Sequence, residues 1–489
     1  MNYQSTRSNH IASDTAAVLR GIAPDGGLYI DPSLGQRPFD WEGCLALPPL
    51  GMAEKIIGHL LPDFENMGAL VRRAYDGKFD CEELTPLVSV GDDYVLELFH
   101  GPTAAFKDVA LSMLPQLVTA ARIQEGVRDR IVILTATSGD TGKAALEGFH
   151  DVEGTGIIVF FPDEGVSPVQ KAQMVTQAGS NVKVCGVRGN FDDCQTGVKR
   201  AFATINGQHL LDGSGKRLSS ANSINIGRLA PQVVYYFIAY AKLLEAGRIA
   251  CGDKVDFVVP TGNFGDILAG YFAKLMGLPV GKLVCASNAN RVLTDFLETG
   301  HYDRWRDFKR TSSPSMDILV SSNLERLLFL ASGGDTRLVS DCMQRLRDRG
   351  DYFFDHAAME RIHEDFAAGC CEEDDCGATI GRVWRDCGYL CDTHTAVAMK
   401  VAADYKASRE GDAPVVVLST ASPFKFPAAV LRAIGGDGSG DEFEQMERLS
   451  ALTGLPIPPG LRGLRSKVVL HRDVINPAEI LDYVMDHLS

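Results

Sequence analysis

Lys107 closes the segment His100-Gly101-Pro102-Thr103-Ala104-Ala105-Phe106-Lys107-Asp108, in which a Gly-Pro-Thr turn leads into a helical pattern. The ammonium falls in the first turns of that helix, beside the ring of Phe106. A lysine in a partly dry pocket loses its proton readily and becomes a nucleophile that condenses with an aldehyde. A lone lysine at a helix start is otherwise a solvated surface group. Two loops carry anion-binding chemistry. Thr135-Ala136-Thr137-Ser138-Gly139-Asp140-Thr141-Gly142-Lys143 and Pro260-Thr261-Gly262-Asn263-Phe264-Gly265-Asp266 each stand between a strand-like run and a helical one. Glycines and hydroxyls there expose backbone N–H groups to an anion, although each loop alone reads equally well as a capped turn. The second loop has no Gly-Lys-Ser/Thr and no GxGxxG. In Ser219-Ser220-Ala221-Asn222-Ser223-Ile224-Asn225-Ile226-Gly227-Arg228, Asn222 and Ser223 are expected to donate from a helix start. Arg228 lies roughly two turns on, its fork suited to phosphate or carboxylate.

Two phosphate-type loops, a candidate Schiff-base lysine and an arginine site together imply a phosphorylated aldehyde cofactor and an anionic substrate. Pyridoxal phosphate fits that combination.

The elements around these loops set the class. Ile131–Thr135, Gly156–Phe161, Val182–Val187, Val255–Val259, Lys282–Ala286 and Pro414–Leu418 are short apolar runs separated by helical patterns. Such strands, buried on both faces, predict an α/β protein with mostly parallel sheets covered by helices. The first 90 or so residues are punctuated by Pro24-Asp25-Gly26-Gly27 and Pro48-Pro49 and read as an appended region. Asn222–Ala246 reads as a buried helix kinked at Pro231, Gly435–Gly440 as a connector, and Pro477–Leu488 as an amphipathic terminal helix.

With 489 residues, 45% hydrophobic, the chain can bury a large core. A net charge of −15 is the wrong sign for a general nucleic-acid binder. No apolar run reaches the roughly 18 residues of a membrane span, and Met1–Arg7 lacks the apolar run of a secretory signal. Twelve cysteines are too few for a disulfide scaffold and fit reduced thiols in the cytoplasm. Cys370, Cys371, Cys376, Cys387 and Cys391 cluster around an acidic run, but their spacing is not that of paired zinc ligands, so no metal is expected. His394 is expected to hold a structural hydrogen bond at a helix start.

On these motifs the sequence resembles threonine synthase, a pyridoxal-phosphate lyase of fold type II (tryptophan synthase β-like). The likeness runs through nearly the whole chain. Tyr3–Arg7 and Gly21–Tyr29 are similar to the family's N-terminal signature, and HGPTAAFKD resembles HGPT-x-AFKD. The resemblance implies Lys107 as the catalytic lysine that holds the cofactor. It implies Phe106, Asp140, Gly262, Asn263, Phe264, Gly265, Asp266 and Thr420 around that cofactor. Ser138, Gly139 and Thr141 would receive the substrate carboxylate, and Asn222, Ser223 and Arg228 its phosphate. Thr420 belongs to Ser419-Thr420-Ala421-Ser422-Pro423-Phe424-Lys425-Phe426-Pro427, which resembles STAHPAKFP; Ser422 and Phe424 depart from it, as do Ala104 and Thr393 from their own motifs. The implied reaction, the last step of threonine biosynthesis, converts O-phospho-L-homoserine and water to L-threonine and phosphate, in a monomer or homodimer. The implied architecture has an N-terminal region (1–92), a large cofactor-binding domain (93–127 and 236–489) and a small mobile α/β domain (128–235). Serine or threonine dehydratases of the same class are the nearest rival reading, and a non-catalytic ligand sensor the more distant one.

Overall fold

The computed structural model describes residues 2–137, 139–164 and 166–488. Two parallel sheets organise it. The larger has six strands in the order Phe366–Cys370, Val280–Ser287, Val255–Pro260, Val415–Ser419, Asp93–Glu97 and Leu87–Val90, with the last antiparallel to its neighbour. The smaller has five parallel strands in the order Asp473–Ile475, Val182–Val187, Thr155–Pro162, Arg130–Ala136 and Lys216–Ser219. Strands such as Val255–Pro260 and Thr155–Pro162 are buried at every residue and so are apolar on both faces except at Asp256, paired with Arg409, and Thr155, bonded to Val152 O.

Two domain expectations need correcting. The stretch 236–489 is not all in the large domain: Asp473–Ile475 pairs with Val182–Val187, and Ile480, Tyr483 and Val484 join the core of the smaller sheet. The edge strand is short and half-polar, so it carries no apolar run to betray it. Leu87–Val90, assigned to the appended region, is instead an edge of the large sheet. The N-terminal region otherwise forms a three-stranded antiparallel sheet (Tyr3–Ser5, Ile11–Ala12, Tyr29–Ile30) and helices including Pro49–Leu60 and Met67–Tyr75.

The segment after Asn222 is not one kinked helix. It runs as helix Ile226–Leu229, a 3₁₀ turn Ala230–Val233 containing Pro231, and helix Val234–Glu245. The proline has no N–H to continue the α ladder, so the tighter turn takes its place.

Helix Lys107–Gln124 lies against helix Asp140–Phe149, which packs on the smaller sheet. Pro115, inside the first helix, has no N–H for the carbonyl of Leu111, four residues earlier. Gly148 packs onto that same carbonyl: a Cβ on Gly148 would stand 2.0 Å from Leu111 O. Only glycine fits there.

Candidate active site

The carboxyl ends of three adjacent parallel strands converge, the edge at which open α/β sheets bind ligands. Asp93–Glu97 leads to His100–Lys107, Val415–Ser419 to Thr420–Lys425, and Val255–Pro260 to Gly262–Asp266. The first two segments stay paired beyond the sheet. Leu98 N–H donates to Ser419 O (2.9 Å), Phe106 N–H to Thr420 O (2.8 Å) and Ser422 N–H to Ala104 O (3.1 Å). Lys107 therefore starts its helix beside Thr420, and both are buried. Asp108 fixes the turn before them by accepting from Thr103 N–H (2.8 Å) and Thr103 Oγ1 (2.6 Å). Burial pushes the Asp108 carboxyl up to about 6. Ala104, the departure from the family's lysine motif, has a positive φ of 59° and is buried. His100 is held from both sides, its Nδ1 2.5 Å from Asp80 and its Nε2 2.9 Å from Glu97. Among the described residues Asp80, Cys81 and His100 are the one grouping close enough to share a cation, and the Cys370–Cys391 thiols form none.

The Lys107 amine lies 4.6 Å from the ring centre of Phe106. Burial lowers its proton affinity, the charges of Arg228 and Lys425 lower it further, and Asp140 and Asp266 oppose them. Four side chains from four separate segments thus act on one nitrogen. Asp140 lies at the start of helix Asp140–Phe149. Burial opposes its ionisation, but the Lys425 and Lys107 ammoniums hold its carboxyl well below the usual range. Gln170 Nε2 donates to it at 2.8 Å. Burial pushes Asp266 up to about 6.

The preceding turn is built on Thr137 Oγ1, which accepts from Gly139 N–H (3.0 Å) and Gly142 N–H (2.9 Å). A Cβ on Gly139 would meet the Gln170 amide, so this turn is closely covered. Thr141 is half-buried in the first turn of the helix. Ser138 lies outside the described residues.

In the glycine loop, Gly262 passes so near Ser315 that a Cβ would stand 2.6 Å from its carbonyl. Ser315 is held in turn by His394: its N–H donates to His394 Nε2 (3.1 Å), while His394 Nδ1 pairs with Asp392 (2.7 Å). The hydrogen bond expected of His394 therefore braces this loop from behind. Phe264 adopts a left-handed conformation (φ 62°), starting helix Gly265–Leu275. Asn263 O accepts from the backbone and side chain of Asn323, and Ser322 Oγ reaches Asn263 Oδ1 (3.2 Å) and Ser223 Oγ (3.3 Å). The glycine loop and the Asn222–Ser223 turn are thus clasped together by Ser322 and Asn323, which the sequence did not reveal. Arg326 completes the brace with bonds to Tyr29 O and Ile224 O, and Glu325 holds Thr6 and Arg7 of the N-terminal signature.

One expectation about this turn is corrected. Asn222 and Ser223 do not start the helix; Asn225 does, its Oδ1 accepting from Gly227 N–H (2.9 Å) while its Nδ2 donates to Val18 O (2.9 Å). Asn222 is exposed, three residues before the cap. Arg228 is 3% exposed, and Nη1 donates to Ala221 O (2.9 Å). Its Nε has no partner among the described residues. Burial lowers its proton affinity to about 10, so it stays charged at neutral pH. A buried cation with a free donor, beside a buried lysine and tightly turned glycine loops, fits a phosphorylated aldehyde and an anionic substrate.

Comparison with known proteins agrees with this geometry. Residues 81–345 match the family model described as pyridoxal-phosphate dependent enzyme, and residues 395–459 match threonine synthase, C-terminal. The threonine synthase of Pseudomonas aeruginosa is 38% identical over 470 residues, 92% of this chain and 96% of that protein. The chain belongs to the threonine synthase family. Its fold is type II and its cofactor pyridoxal phosphate. The solved structure of pyridoxal-phosphate-bound threonine synthase from Brucella melitensis is 39% identical, with a TM-score of 0.87 over 100% of this chain and 99% of that one. Threonine synthase-like 1 of Homo sapiens is 41% identical over 434 residues, 86% of this chain. The chain spans 57% of the length of that relative. No helix among the described residues is long and apolar enough to cross a membrane.

The missed residue closest to the chemistry is Lys425, which carries a buried charge to Asp140. It stands in the same Ser419–Pro427 segment as Thr420, between a Pro-Phe and a Phe-Pro pair whose apolar character was the one signal available.

Proposed function

We propose that this family member converts O-phospho-L-homoserine and water to L-threonine and phosphate. The observation that carries the reading is Arg228, a buried guanidinium with an unpartnered Nε, acting on the Lys107 amine. A dehydratase acting on serine or threonine has no need of a second phosphate site.

Pyridoxal phosphate, when bound, supplies an aldehyde for an amine and a ring that takes up carbanion charge. Lys107 is the amine that first meets that aldehyde. Once displaced by the substrate, it moves protons at the substrate's Cα and Cβ, a task suited to an amine whose proton affinity burial has lowered. The Gly262–Asp266 loop holds the cofactor phosphate through backbone N–H groups. Thr420 offers the ring nitrogen a neutral hydroxyl instead of a carboxylate. Ser138, Gly139 and Thr141 receive the substrate carboxylate. Arg228, with Asn222 and Ser223, stabilises the phosphate that leaves Cγ, and water adds at Cβ.

Borohydride reduction of the cofactor-loaded protein followed by peptide mass spectrometry should locate the adduct on Lys107, and Lys107→Ala should lose both adduct and turnover. The loaded protein should release phosphate and threonine from O-phospho-L-homoserine in equal amounts. Keto acid from serine or threonine, with no phosphate release, overturns the reading.

A further inference from the structure

Lys425 is a buried cation that the reaction above leaves without a task. It ends the 3₁₀ turn Pro423–Lys425 and is 1% exposed. Its Nζ donates to Thr103 O at 3.0 Å, in the turn before Lys107, and stands 2.7 Å from Asp140 Oδ1, on the small-domain helix. A cation this deep must be paired, and its partner is the same carboxylate that acts on Lys107.

We propose that Lys425 is a positioning residue for Lys107: by taking the Asp140 carboxylate across from the other domain, it leaves the Lys107 amine without that ion-pair partner. The inference rests on Lys107 being the amine that meets the cofactor. Two buried lysines compete for one carboxylate, and Asp140 spends its contacts on Lys425 and on Gln170 Nε2. The charged groups acting on Lys107 are Asp140, Arg228, Lys425 and Asp266, each from a different segment. Asp108 also feels Lys425 from the lysine helix itself. Removing the Lys425 charge deletes one cation that disfavours the Lys107 ammonium and releases one carboxylate that favours it. Both changes act in the same direction.

The test reads the amine itself, without cofactor. Apoprotein is acylated by brief pulses of acetic anhydride across a pH series, and mass spectrometry of the Lys107 peptide gives the pH of half-maximal reactivity. K425M should raise that pH by about one unit, a tenfold loss of free amine at a given lower pH. K425R should keep the wild-type value, and the double variant D140N/K425M, which removes the released carboxylate together with the cation, should not show the rise. If K425M does not fold, K425Q, which keeps a donor for Thr103 O, carries the same expectation. A variant that melts at lower temperature yet keeps the wild-type reactivity curve makes Lys425 a structural staple only and overturns the proposal. The borohydride adduct of the loaded wild-type protein separately decides whether Lys107 is the right amine.

Discussion

Arg228 is a cation held in place before anything binds to it. Its guanidinium donates to Ala221 O through Nη1, and its Nε, without a partner among the described residues, is left to meet an oxygen. A donor preorganised in a dry site is worth roughly 10²–10³ in rate when it faces developing charge. Arg228→Ala should lower kcat/KM for phosphate release from O-phospho-L-homoserine by about that factor, while the borohydride adduct on Lys107 persists. Asp266 gives a prediction with a definite sign. Its folded pKa of about 6 lies above the ordinary carboxyl value of 3.8. The folded state therefore binds more protons than the unfolded one between those values, and this group's contribution to stability is lost as pH rises through them. Asp266→Asn removes that loss. Its apoprotein should gain stability over wild type between pH 4 and pH 7, by a difference of order 3 kcal/mol from about two pKa units, and chemical denaturation at the two pH values measures it.

Among the elements, Gly148 makes the tightest demand. Overpacking a close contact costs about 1–3 kcal/mol, and a Cβ 2.0 Å from Leu111 O leaves no room to relax locally. Gly148→Ala should destabilise the chain by at least about 2 kcal/mol, and cofactor affinity should fall with it because the displaced helix begins at Lys107. The elements that could be read from sequence were those with doubly buried apolar runs, such as Arg130–Ala136 and Val415–Ser419. Lys216–Ser219 and Asp473–Ile475 escaped because edge strands owe their state to a neighbour, not to their own pattern. The helix start was misplaced at Asn222 and Ser223 because Asn-Ser-Ile-Asn offers three capping side chains, and tertiary contact with Val18 O selects Asn225. The glycine loops were legible as anion sites because their chemistry is local. The clasp of Ser322 and Asn323 was not, since its partners stand about a hundred residues earlier at Ser223.

At the scale of the whole molecule, the chain's last segment belongs to the smaller sheet. Ile480 and Val484 are fully buried there beside Phe160 and Cys185. Burying one such side chain is worth about 1.5–3 kcal/mol. A chain ending at residue 471 should therefore lose roughly 10 °C in Tm by calorimetry, with Val182–Val187 left as an open edge. The missing backbone bond at Pro115 has a reach beyond its own turn. It leaves the Leu111 carbonyl without its helical donor and pressed against Gly148, with the Pro115 ring closing the same contact. Asp140 lies eight residues from Gly148 on the same helix, about 12 Å along it, so the spacing fixed at Gly148 also fixes where the carboxylate stands against Lys425. A side chain added at that contact would thereby be felt a full helix length away, at the ion pair beside the catalytic amine.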